Sequence, residues 1–216
     1  METRTKHGVI FSLVAGSALL LLLIPAIAWT REAAQFSGAG MDAAFLFVYL
    51  PARLAALMGL TLMFFQFVLA ARIPFVERQF KRGNLLKVHR SSGKVAYLLV
   101  LLHGLGMMSF DYLSAGELFF YFENTVGLIA LILLTLAVIA AWFFKQLKLS
   151  RKHWRAIHFL TYIIFPMVVW HALALGSTVN TVVSLQVLLY VYFVGYVGVL
   201  AYRLYRQLPV PGGSTR

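Results

Sequence analysis

Six runs of apolar residues, separated by short polar segments, account for most of the chain. They cover about 9–29, 44–71, 88–110, 122–144, 155–175 and 181–203. At 1.5 Å of rise per residue, roughly 20 helical residues cross a hydrocarbon core of about 30 Å, and every run is long enough. The pattern predicts an all-α integral membrane protein, a bundle of six transmembrane helices. The first run follows Arg4 and Lys6 as a signal peptide would, but it exceeds the 7–15 apolar residues of a signal core, so a retained helix is expected. The longest polar segment has about 16 residues and the tail about 13, too few to fold outside the membrane. The chain therefore reads as one transmembrane domain, 1–216. Its tail, 204–216, carries Pro209-Val210-Pro211-Gly212-Gly213-Ser214 and is expected to be disordered.

Composition agrees: 61% of residues are apolar and 12% charged, against nearly half and a quarter in a soluble domain. With no cysteine, this chain offers no disulfide, no thiolate-bound zinc or iron–sulfur cluster and no covalent haem attachment. A formal charge of +12 would suit a nucleic-acid binder, but its distribution points to topology instead. Of the 19 Lys and Arg, all but Arg31 and Arg53 fall in the N-terminus, the segments joining runs two to three and four to five, or the tail. Most acids (Glu32, Asp42, Asp111, Glu117 and Glu123) fall on the other side. The positive-inside rule then puts both termini in the cytoplasm, with the chain in a bacterial inner membrane and no nucleic acid among its partners.

Four histidines lie in or at the ends of apolar runs. His89 and His103 are 14 residues apart in the third run, His158 and His171 13 apart in the fifth. A histidine within a membrane is costly without a partner. Singly, each could be interhelical glue, hydrogen-bonded to a neighbour. As a set they are matched. Both runs go outward from the basic side, so His89 faces His158 and His103 faces His171, with about 20 Å between the levels. That arrangement suits two haems stacked between the third and fifth helices, each taking one imidazole from each helix. Fourteen residues at 100° bring His103 to about 40° from His89, on one face, whereas thirteen leave His171 about 140° from His158. Pro166 between the latter two can kink the helix.

The surroundings extend this reading. Gly93, Gly104 and Gly106 leave room for a flat ring, or simply pack helices. Arg90, Lys94, Lys152 and Arg155 stand where haem carboxylates near the inner face would need cations, although ordinary positive-inside flanking also accounts for such residues. Arg53 is unusual, a cation on the outer half of the second run. Either an outer-haem propionate partners it or its stem snorkels to the headgroups. His7 and His153 are poor ligand candidates, and Trp142 and Trp154 read as interface-belt aromatics.

The segment Gln66-Phe67-Val68-Leu69-Ala70-Ala71-Arg72-Ile73-Pro74, His89-Arg90 with Gly93 and His103, and Trp154-Arg155 with His158, Tyr162 and His171 resemble the ferric reductase transmembrane domain. That family includes ferric reductases, NADPH oxidases and the haem-binding membrane subunit of the bacterial methionine sulfoxide reductase system. The likeness covers about residues 45–175, and the family uses both histidine spacings. It implies an inner haem b on His89 and His158 and an outer haem b on His103 and His171. It also implies a place for Arg53 near the outer haem and the acceptor. Relatives often continue into flavin and NADPH domains. This chain stops, so a cytosolic flavin reductase carrying FMN or FAD is the expected donor. The expected acceptor is ferric iron, oxygen or a periplasmic reductase. The alternative is a proton or metal transporter using the same histidines.

Overall fold

The computed structural model describes residues 2–36 and 38–207, all helices and connecting turns, with no strand among them. Six helices are long and apolar enough to cross a membrane. Helix α1 spans Glu2–Phe36, continuing past the expected end at residue 29. A π-helical turn, Phe45–Tyr49, leads into α2, Leu50–Ala70. The basic segment that follows contains a short helix, α3 (Pro74–Gln79), where no element was expected. Next come α4 (Arg82–Ala115) and α5 (Phe122–Trp142). The fifth run is two helices rather than one, α6 (Arg151–Phe159) and α7 (Thr161–Leu175). A single turn, α8 (Ser177–Thr181), precedes α9 (Val183–Tyr205). Leu204 and Tyr205 thus end a helix instead of starting a disordered tail, and residues 208–216 lie outside the described residues.

The most buried of the six spans is α2, and its longest contact is with α4. Lipid offers no hydrophobic drive to pair helices, so close backbone approach has to supply the attraction. Glycines provide it. A Cβ on Gly59 would stand 2.9 Å from Val100 Cγ2, and one on Gly106 would stand 2.8 Å from Ala52 Cβ. Of the two roles open to Gly106 from sequence, room for a flat ring or helix packing, it takes the second. Gly93 likewise faces the Gln66 side chain at 3.1 Å.

Helix α9 repairs two proline defects. Proline has no N–H, so the carbonyl four residues earlier loses its helical partner. In α7, Pro166 frees the Tyr162 carbonyl, and the Tyr196 hydroxyl donates to it at 2.7 Å. In α1, Pro25 frees the Leu21 carbonyl, and Tyr192 lies 3.3 Å away, its one proton shared with Thr61 Oγ1 at 3.1 Å. Both tyrosine rings pack on α2, Tyr192 stacked on Phe64 and Tyr196 edge-on to Phe67.

Candidate functional site

The break between α6 and α7 bears on the spacing of the fifth run. At the junction the backbone tightens to bonds three residues apart, Leu160 N–H to the Ile157 carbonyl and Ile163 N–H to the Leu160 carbonyl. Such turns advance about 120° per residue rather than 100°, which rotates α7 relative to α6. Thr161 Oγ1 donates to the His158 carbonyl at 2.7 Å and seals the joint. From sequence the change of direction is ascribed to Pro166 and to non-ideal backbone near the helix start; the break at Leu160 lies between His158 and Pro166.

The four histidines meet as two pairs. The His89 and His158 rings have centroids 6.5 Å apart, and those of His103 and His171 are 6.3 Å apart. Each pair takes one ring from α4 and one from the α6–α7 unit. A metal ion held by one nitrogen of each ring at about 2 Å, with about 1.1 Å from nitrogen to ring centre, sets the centroids close to 6 Å apart. Two rings cannot hold a bare ion alone. Among the described residues no three His, Asp or Glu side chains converge on one point. A metal at either pair would have to bring its remaining ligands with it, as a porphyrin does.

The outer pair is held firmly. His103 Nδ1 lies 3.2 Å from the Ala52 carbonyl and His171 Nδ1 lies 2.9 Å from the Glu123 carbonyl. Carbonyls only accept, so Nδ1 carries the proton in both rings and Nε2 keeps its lone pair, the arrangement metal-binding histidines adopt. Gly127 of α5 lies under the His171 ring; a Cβ there would stand 2.6 Å from Cε1 and 2.8 Å from Nδ1. Sequence reasoning missed Gly127, whose only signal is a glycine in an otherwise apolar helix.

Both outer rings line a cavity of about 230 Å³ between α2, α4, α5 and α7. One water needs about 10–15 Å³ of such space, so the cavity is far larger than an ordered water requires. Its walls are mostly apolar, with Tyr49, Arg53, Asp111, Asn124, Ser177 and Thr178 as polar members beside the two histidines. Gly104 is also in the wall, where a Cβ would press on Leu131 Cδ2 at 2.6 Å.

Arg53 lines this cavity, yet its anionic partner is a side chain of the protein. Its Nη2 meets Glu32 Oε1 at 2.6 Å and donates to Thr178 Oγ1, and its guanidinium lies 5.1 Å from the Tyr49 ring centre. It is buried and does not snorkel. Glu32 counted from sequence only as one of the acids on the outer side.

The inner pair is built differently. His89 Nδ1 is buried and makes no hydrogen bond; the Gln66 backbone stands beside it, in the place Ala52 takes for His103, without closing one. Gln66 Nε2 donates to Ser92 Oγ at 2.9 Å, leaving its Oε1 buried and unbonded. Trp154 stacks on His158, centroids 5.6 Å apart and planes 12° from parallel, so it is also part of the site. Arg90, Lys94, Lys152 and Arg155 are exposed around this end. Arg203 of α9, the last residue of the sixth run, reaches back to the Tyr162 hydroxyl, one turn from His158. His153 is exposed beside Ser150, which caps α6, and the His7 side chain lies outside the described residues.

No curated protein matches the chain. A family model described as the ferric reductase like transmembrane component matches residues 55–169, more than half of the 216 residues. The matched segment contains His89, His103 and His158, starts two residues after Arg53 and stops two before His171. The chain belongs to the ferric reductase like transmembrane component family.

Proposed function

We propose that this protein is the electron-transfer component of a membrane oxidoreductase, holding one haem b between His89 and His158 and a second between His103 and His171. The observation that carries this reading is the double pairing, two imidazole pairs at 6.5 and 6.3 Å on the same two structural units. When bound, each haem supplies an iron that cycles between ferric and ferrous states. The chain's own residues do the rest. His103 and His171, with Nδ1 committed to backbone carbonyls, present Nε2 in fixed orientation. The apolar wall of the outer cavity excludes water and lowers the local dielectric. Arg90, Lys94, Lys152 and Arg155 supply counter-charge for carboxylates at the basic end. About 21 Å of α4 separates His89 from His103, so the pairs lie toward opposite membrane faces.

The basic end faces the cytoplasm of a bacterial inner membrane by the positive-inside rule, with both termini there. A cytosolic flavoprotein using FMN or FAD and NAD(P)H delivers electrons to that end. The outer cavity delivers them to ferric iron, oxygen or a periplasmic reductase. Vesicles test this directly: the chain is reconstituted with ferricyanide trapped inside and reduced FMN supplied outside. Bleaching that requires the protein and disappears in His103→Ala is expected. Equal bleaching with the variant would refute transmembrane transfer through the outer pair.

A further inference from the structure

The ion pair between α1 and α2 stands out among the groups that the pairing of histidines does not use. Arg53 and Glu32 are both largely withdrawn from solvent, their side chains 9% and 14% exposed. The arginine lines the cavity that holds His103 and His171, and it follows Ala52, whose carbonyl orients His103. Three contacts hold it: Glu32 Oε1, Thr178 Oγ1 and the face of Tyr49. The carboxylate is bonded through one oxygen only; Glu32 Oε2 is buried without a partner. Both residues lie outside the segment matched by the family model.

A fixed charge in an apolar, poorly hydrated cavity acts on a nearby redox centre with little screening. A cation there stabilises the reduced centre, which carries one more electron, and an anion stabilises the oxidised one. At the outer pair the two charges are held against each other at 2.6 Å, and their effects offset. The cavity's other charged lining residue, Asp111, is part-exposed and better screened. Among the described residues no carboxylate is ion-paired with a cation of the inner end, where Arg203 is bonded to a tyrosine hydroxyl.

We infer that Glu32 is a positioning residue that fixes Arg53 and balances its charge, and that this pair sets the reduction potential of the outer haem separately from the inner one. The inference rests on the two-haem reading. The test is a redox titration of detergent-purified protein followed at the haem absorption bands, with His103→Ala identifying the outer component. Glu32→Gln is expected to raise the outer midpoint, Arg53→Gln to lower it, and the double variant to return it near the wild-type value. The inner midpoint stays in place throughout. Arg53→Lys keeps the charge and therefore most of the potential.

Shifts of the same sign in both single variants, equal shifts of both components, or no shift would overturn the inference. So would loss of the outer component in Arg53→Lys as well as in the Gln variants, which would assign the pair to holding α1 on α2. Fewer than two components in the wild-type protein would instead defeat the underlying two-haem reading, before any variant is made.

Discussion

The inner and outer histidine pairs have almost the same ring separation but are held by different means. At the outer pair both imidazoles are tied to backbone carbonyls of neighbouring helices, and a glycine is fitted under one ring. At the inner pair one ring has an unbonded nitrogen and the other is steadied by an indole stack. His158 also sits on α6, a nine-residue helix separated from α7 by the turn at Leu160. The outer site is set into the bundle, whereas the inner site is assembled at its edge. Backbone carbonyls inside spanning helices can shift only if the helices shift, so the outer geometry is rigid. Side chains on a short helix at the end of a span can adjust more freely.

The largest expected effect comes from the histidines. His103→Ala or His171→Ala should halve the haem-to-protein ratio and abolish transfer across vesicles while leaving the inner spectrum intact. His89→Ala should also halve the ratio and abolish transfer, but leave the outer spectrum intact. Next come the glycines. Gly127→Val should strip the outer haem alone, because even its Cβ would overlap the His171 ring. Gly93→Ala should leave both haems in place, because its obstacle is the end of the flexible Gln66 side chain at 3.1 Å. Haem content and spectra of the two variants would break the contrast if both lost the same component.

Trp154→Ala should shift only the inner component's spectrum and potential. The aromatic stack it removes is worth about 0.5–1.5 kcal/mol, too little to unfold the bundle. The smallest effect is expected from Tyr196→Phe, which leaves the Tyr162 carbonyl beside Pro166 without its donor. Hydrogen bonds between membrane helices average about 0.6 kcal/mol, so a thermal midpoint lower by roughly 1–2 °C is expected, with haem content unchanged.

The spans and the pairing of His89 with His158 and His103 with His171 were legible because hydropathy, basic clusters and histidine order are properties of the linear sequence. Three things were not. The break at Leu160 carries no glycine or proline, and its cause is a local tightening of backbone bonds. The role of Gly127 depends on a ring 44 residues away on another helix, which spacing within one run cannot reveal. Arg53 was noticed as a misplaced cation, but its partner Glu32 lies at the end of a different helix among ordinary outer-side acids. Trp154 was read as an interface residue because tryptophans at span ends usually are, and only the packing of α6 shows it lying on His158.

Whether the four imidazoles make two separate haem sites is decided by the reduced-minus-oxidised absorption spectrum of purified protein, with haem and protein quantified in the same sample. About two b-type haems per chain are expected, falling to about one in His103→Ala and to about one of a different spectrum in His89→Ala. A protein that stays colourless after expression with ample haem and after reconstitution, or that loses both haems together in either variant, would contradict the two-site reading.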